Sequence, residues 1–217
     1  MKRILFLLAI AFTLITCDQD DSTYAIISTD YGDMKVRLFN STPQHRDNFI
    51  KVAESGLYDG TLFHRVIEGF MIQGGDPDSK AAAPGVSYGR GGPGYLVPAE
   101  LGNLHFKGAL AAARTGNPEK KSSGSQFYVV HGKIPSDQEL AAKSQRNLNS
   151  GGRAYTDAEV QLYKEIGGTP GLDFDYTVFG EVVEGMEVLD AIAAMPVNSA
   201  LGNRPLTDVK MTVKILD

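Results

Sequence analysis

The chain has a single cysteine, Cys17, placed close to its N-terminus. An internal disulfide is therefore excluded, and no thiol nucleophile is left for the rest of the chain. The four histidines, His45, His64, His105 and His131, show no His-x-x-x-His or comparable metal spacing. No Gly-x-Ser-x-Gly elbow is present for serine hydrolysis. Positive charge is also scarce: 21 Lys and Arg against 26 Asp and Glu give a net charge of −5, so no basic surface for nucleic acid is expected. Metal-dependent, thiol-based and nucleic-acid functions thus have no support, and no metal or cofactor is expected.

What is present begins with a segment that does not belong to the fold. Lys2-Arg3 precedes an apolar run, Ile4 to Ile15, too short to span a bilayer as a mature helix. Residues 1–16 read as a signal peptide, and the run into Cys17 resembles a bacterial lipoprotein signal, in which the cysteine becomes the lipidated first residue. Thr16 departs from the commoner Gly or Ala there, so an ordinary secretory signal is the alternative. Residues 17–23 would form a lipidated acidic tether, rich in Asp18, Asp20 and Asp21. The expected location is the envelope of a Gram-negative bacterium. Cys17 would anchor the protein to a membrane, the outer one by expectation, facing the periplasm or the surface.

The folded domain is expected over 24–217. At 217 residues, 42% hydrophobic and 22% charged, the chain can bury a sizeable core. Ala25 to Thr29 reads as a strand; Met34, Val36 and Leu38 then alternate with Lys35 and Arg37 as a half-buried one. Thr42 as N-cap and Pro43 at the first helical position start a helix, with Phe49, Val52 and Ala53 on its apolar face and Gly56 after its end. His45 is expected at its surface. Gly89-Arg90-Gly91-Gly92-Pro93-Gly94 matches a dinucleotide fingerprint by letter, but Pro93 and Pro98 forbid the helix that fingerprint requires, so it reads as a loop. Strands are expected over Lys107–Ala113, Gln126–Val130, Tyr176–Val183 and Asp208–Leu216, and a helix over Met186–Met195. Between about 135 and 170 the period changes. Two capping boxes, Ser136-x-x-Glu139 and Thr156-x-x-Glu159, mark an inserted helical hairpin, with Val160, Tyr163 and Ile166 on one face. A side wall or lid beside a groove, or structural padding, are its open roles.

Leu62 to Pro77 is the densest stretch, a strand, a Glu68-Gly69 turn and a second strand ending at Gly74-Gly75. Its run Phe63-His64-Arg65-Val66-Ile67-x-Gly69-Phe70-Met71-x-Gln73-Gly74-Gly75-Asp76 resembles the signature of the cyclophilin-type peptidyl-prolyl isomerases. Gly124-Ser125-Gln126-Phe127-Tyr128-Val129 and Leu172-Asp173-x-x-Tyr176-Thr177-Val178-Phe179-Gly180-Glu181-Val182 resemble two further blocks of that family, in its order. The resemblance implies a mainly β fold: a closed eight-stranded antiparallel barrel capped by two helices, here with the hairpin inserted. It implies catalysis of cis–trans rotation about Xaa-Pro bonds without a cofactor, assisting the folding of exported polypeptides. Arg65 matches the catalytic arginine and Gln73 the glutamine that orients it. Phe70, Met71, Tyr128 and Leu172 match the proline pocket, with Tyr176 beside it. Ala113 and Arg114 match the segment whose backbone pairs with an extended peptide, and Gln126 lies next to it.

Several positions depart from the family pattern. Gly171 stands where cyclosporin-sensitive members have a tryptophan, and Tyr176 where many have a histidine. Weak cyclosporin binding follows from the missing indole. Arg114 replaces an asparagine, and Tyr128 replaces a phenylalanine and adds a hydroxyl at the pocket floor. The expected partners are proline-containing polypeptides and, through the anchor, a membrane; a monomer is expected. The alternative function is a peptide-binding module or chaperone with little turnover.

Overall fold

A computed structural model describes residues 22–150 and 152–216, so the signal segment, Cys17 and the acidic tether up to Asp21 lie outside the described residues. The elements in chain order are β1 (Thr23–Thr29), β2 (Gly32–Leu38), α1 (Pro43–Glu54), β3 (Thr61–Leu62), β4 (Arg65–Ile67), β5 (Met71–Gly74), β6 (Leu96–Val97), β7 (Ala109–Ala112), β8 (Ser122–Ser123), β9 (Phe127–Val130), α2 (Asp137–Asn149), α3 (Asp157–Ile166), β10 (Val178–Glu184), α4 (Met186–Ala193), β11 (Val197–Asn198), β12 (Arg204–Pro205) and β13 (Lys210–Leu216). None of the described helices is long and apolar enough to cross a membrane.

The period-two patterns in the sequence become one strongly curled sheet. Ala25 and Ile27 of β1, Met34, Val36 and Leu38 of β2, and Met211 and Val213 of β13 all face inward, with Val209 just before β13. Helix α1 contributes Phe49, Val52 and Ala53 to that interior, and α4 adds Val188, Leu189, Ile192 and Ala193. The sheet is antiparallel and its order is β3-β13-β1-β2-β10-β7-β9-β5-β4. This corrects the expected closed eight-stranded barrel: the ladder runs through nine strands and stays open between β3 and β4. Those edges are joined by Phe63 and His64, which the sequence places inside one strand. At the seam the Phe63 N–H donates to Val209 (2.9 Å) and the Val66 N–H to Asn203 (3.0 Å). The backbone groups that closure would need are thus engaged by neighbouring loops.

Helix α1 begins at Pro43 as expected, but Thr42 does not cap it with its side chain. The Thr42 hydroxyl bonds to the Phe39 carbonyl instead (3.4 Å). The Glu100 carboxylate caps the helix from across the fold, accepting from the backbone N–H of Gln44 (3.1 Å) and of His45 (2.9 Å). His45 is not at the surface: it is 3% exposed, with Nδ1 2.7 Å from Glu100 and Nε2 3.0 Å from the Ser122 hydroxyl. Burial pushes its imidazole below the usual histidine range.

The inserted hairpin forms as its capping boxes predict. Ser136 Oγ accepts from the Glu139 N–H (3.2 Å) while Glu139 Oε2 accepts from the Ser136 N–H (2.8 Å). Thr156 and Glu159 repeat the arrangement at the start of α3, with the same two distances. Leu140, Tyr155 and Tyr163 pack with Leu104 into a small core of their own. Of the expected face of α3, Tyr163 is buried and Val160 half-buried, but Ile166, the last residue of the helix, is exposed, even though Gly167 beside it is buried and its carbonyl accepts from the Lys107 N–H (3.0 Å).

Candidate active site

The alternation that fills the interior also builds a patch on the outer face of the sheet. In β5, Ile72 belongs to the interior core, so Met71 and Gln73 point outward. Phe127 and Val129 of β9 face in; Tyr128 and Val130 face out. On β7, Leu110 and Ala112 face in, leaving Ala109 and Ala111 outside. Strand register sets the rest. Arg65 of β4 lies directly opposite Gln73 of β5, Gln73 opposite Tyr128 of β9, and Tyr128 opposite Ala111 of β7.

On this outer face lies a cleft of about 90 Å³. Phe70, Met71, Tyr128, Leu172 and Tyr176 form its apolar walls, and Arg65, Gln73, Ala113 and Arg114 form its rim. Nine of the ten residues singled out in the sequence beside Cys17 therefore meet in one place, from four separate segments. Gln126 is the tenth; it lines the adjoining groove together with Gln73, Ala113 and Arg114.

Arg65 Nη1 donates to Gln73 Oε1 (3.3 Å), and its guanidinium lies 6.0 Å from the Phe70 ring centroid. Gln73 Nε2 donates in turn to Gln126 Oε1 (3.1 Å), and Gln126 Nε2 to the Gly91 carbonyl (2.7 Å). The glycine loop that imitates a dinucleotide fingerprint is thus the anchor of this relay. Its Gly89 and Gly91 N–H groups both donate to Asp76 Oδ2 (2.5 and 3.1 Å). A Cβ on Gly91 would come within 2.1 Å of Asp76 Oδ1, so only glycine allows that approach.

The other rim carries Arg114. Its Nε donates to the Asp175 carbonyl (2.9 Å), and its guanidinium lies 4.5 Å from the Tyr176 ring centroid. Ala113 has its N–H bonded to Gln126 O (2.9 Å), and its carbonyl accepts from Ser123 (2.8 Å). Its N–H is therefore not available to a peptide, which narrows the backbone pairing expected of Ala113 and Arg114. The Tyr128 hydroxyl, expected at the pocket floor, is turned into the protein, 2.9 Å from His105 Nε2. Burial, ahead of the nearby Tyr176 and Asp173, raises its pKa well above the tyrosine range, so the hydroxyl stays protonated. Sequence reasoning missed His105 and gave Asp173 no role. The only local signal for Asp173 is its place after Leu172 in the third motif.

The adjoining groove is larger, about 420 Å³, and is lined by Arg90, Tyr95, Leu96, Thr115 and Ser123 as well as the shared rim. No group of three or more His, Cys, Asp or Glu side chains among the described residues is arranged to hold a metal ion.

Comparison with known proteins shows the family. A family model described as "Cyclophilin type peptidyl-prolyl cis-trans isomerase/CLD" matches residues 24–215. A Staphylococcus aureus (strain COL) protein named "Putative peptidyl-prolyl cis-trans isomerase" is 36% identical over 194 residues, covering 88% of this chain and 90% of that protein. A Staphylococcus epidermidis protein of the same name is 36% identical over 192 residues, with the same coverage. Among solved structures, a Cryptosporidium parvum cyclophilin-type peptidyl-prolyl cis-trans isomerase superposes with a TM-score of 0.65 at 24% identity, over 90% of this chain and 98% of its own. A structure of the Cryptosporidium protein in the presence of the dipeptide Ala-Pro gives a TM-score of 0.64 at 24% identity, over 89% and 99% of the two chains. These two likenesses concern the fold.

Proposed function

Because the chain belongs to the cyclophilin-type peptidyl-prolyl cis-trans isomerases, we propose that it isomerises Xaa-Pro bonds at the Arg65 cleft, with Arg65 as the catalytic cation. Resonance gives the planar bond a rotation barrier of about 18–20 kcal/mol, and uncatalysed exchange takes tens to hundreds of seconds. As the bond twists, the proline nitrogen becomes pyramidal and its lone pair, no longer delocalised into the carbonyl, can accept a hydrogen bond. A fixed guanidinium donor stabilises that state more than the planar one, which is the requirement for a faster step. Lowering the barrier by ~5.5 kcal/mol accelerates exchange about ten-thousandfold.

Each residue then has a task. Phe70, Met71, Leu172 and Tyr176 hold the proline ring, so the preceding residue is the part that rotates. Gln73 orients Arg65 and is itself held by Gln126. The backbone of Arg114 pairs with the extended chain. The observation that carries this reading is the Arg65–Gln73 pair on the rim of an apolar cleft sized for a small ring. The test is exchange of a short Xaa-Pro peptide followed by NMR. Wild type should accelerate it, and Arg65→Ala should lose about a hundredfold to a thousandfold of that acceleration. No acceleration of any Xaa-Pro peptide by the wild type would remove the reading.

A second reading is supported by the large groove beside the cleft: the protein holds extended client chains with turnover incidental. Suppression of client aggregation that survives Arg65→Ala would favour it. The physiological setting belongs to the proposal as well: an exported, monomeric, membrane-anchored enzyme lipidated at Cys17, acting on proteins folding in a cell envelope. The basic start, the short apolar run and Cys17 support it. Mass spectrometry of the protein from its native membranes should find a diacylglyceryl-modified Cys17; a soluble, unmodified N-terminus would contradict it.

A further inference from the structure

The inserted hairpin connects to the floor of the cleft through an unbroken chain of buried hydrogen bonds. Tyr155, just before α3, and Tyr163, within it, both donate to Asp173 Oδ2 (2.5 and 2.7 Å). Asp173 Oδ1 accepts from the backbone N–H of His105 and from its Nδ1 (both 2.8 Å). His105 Nε2 then meets the Tyr128 hydroxyl at 2.9 Å. Asp173 and His105 are both 0% exposed, and Tyr163 is also 0% exposed. The His105 and Tyr128 rings lie nearly parallel, 12° apart, while Tyr176 stands edge-on to both.

This arrangement answers a physical problem that Tyr128 creates. A hydroxyl at the wall of an apolar pocket must be hydrogen-bonded or it will keep water with it. A water there would occupy the space of a proline ring. His105 removes the hydroxyl from the pocket, and Asp173 fixes the His105 ring through its other nitrogen. Asp173 is a wholly buried carboxylate whose four donors are two from His105 and two from the tyrosines of the insertion. The hairpin therefore supplies half of what holds the anchor in place.

From this we infer that Asp173, with Tyr155 and Tyr163 of the inserted hairpin, is a positioning unit that acts through His105 to keep the Tyr128 hydroxyl out of the proline pocket. The hairpin is then neither a lid nor padding but the outer support of the pocket floor. The inference rests on the Arg65 cleft being where proline binds.

A thermodynamic cycle on peptide affinity tests it. Asp173→Asn should raise the Kd and KM for an Xaa-Pro peptide about tenfold, with kcat within about twofold of wild type, because the ring pocket is affected and Arg65 is not. The deciding comparison repeats Asp173→Asn in a protein that also carries Tyr128→Phe. With no hydroxyl to position, the Kd ratio between those two proteins should shrink to about twofold or less. A merely structural role for Asp173 would not be relieved by Tyr128→Phe. If Asp173→Asn fails to fold, the pair Tyr155→Phe and Tyr163→Phe takes its place with the same criterion. An unchanged Kd in a folded variant, a loss confined to kcat, or a Kd rise that persists alongside Tyr128→Phe would each overturn the inference. Peptide Kd is measured by NMR titration, so it can be read even if wild type accelerates no exchange. Failure of the isomerase reading is thereby kept separate.

Discussion

Arg65 has a neighbour whose chemistry is set mainly by burial. His64 is 2% exposed, and neither ring nitrogen has a hydrogen-bond partner among the described residues. Burial, with Arg65 adding to it and Asp76 opposing it, pushes the imidazole from the ordinary 6.5 down to about 4. Between those values the unfolded chain binds a proton that the folded protein refuses. Stability from this group is thus fully present above pH 6.5 and is lost as pH falls toward 4, by about 3 kcal/mol in all. Denaturant unfolding of wild type and His64→Gln at pH 7.5 and pH 4.5 checks this: wild type should lose about 2 kcal/mol more than the variant over that interval. Equal losses would show that His64 is not the group responsible. Gly171 offers a second test at this scale. Nothing lies within 4 Å of a Cβ built there, so a large side chain meets open space beside Leu172. Gly171→Trp should tighten cyclosporin binding about tenfold or more over a weak wild type. A nanomolar wild-type Kd would contradict the role given to the missing indole.

Among the elements, the hairpin α2–α3 shows what local sequence can specify. Both capping boxes are read from four residues each, because a cap satisfies donors within one turn. At the second box, the hydrogen-bonding Arg153 guanidinium outweighs burial and holds the Glu159 carboxyl down at about 2. Thr156→Ala should cost about 1 kcal/mol and speed hydrogen exchange in α3 while leaving the amides of β1 and β2 protected. Uniform loss of protection would mean that the hairpin and the curled sheet unfold as one unit. Helix α1 shows the opposite. Its Thr42 and Pro43 mark the start correctly, yet Glu100 does the capping and buries His45 with it. Glu100 is far away in sequence, so no window around the helix contains the signal. The same holds for the pocket floor: Tyr163 was legible as an inward residue of α3, whereas its bond to Asp173, and His105 beyond, depend on the chain folding back.

For the whole molecule, the mainly β fold was legible from period-two alternation, and the cleft residues were legible only through the three motifs that carry the family resemblance. The open seam was not, since it depends on how Val209 and Asn203 meet β3 and β4 in space. Charge distribution is also a property of the whole. The protein is net negative, but the groove beside the cleft is lined by Arg90 and Arg114 and, among the described residues, by no acidic side chain. A peptide with glutamate near its proline should bind about threefold to tenfold more tightly than one with lysine there, and the difference should shrink at high salt. Peptide titrations at two ionic strengths measure this; a preference for lysine would contradict it.

In the proposed reaction a fixed positive charge at Arg65, without proton transfer, accelerates rotation. The most direct measurement is kcat/KM for one Xaa-Pro peptide from pH 5.5 to 8.5, for wild type, Arg65→Lys and Arg65→Ala. Arginine stays charged throughout this interval, and the Tyr128 hydroxyl stays protonated. The expected result is a flat wild-type profile, a partial loss in Arg65→Lys, and about a hundredfold loss or more in Arg65→Ala. A bell-shaped wild-type profile, or an Arg65→Ala protein as fast as wild type, would contradict it.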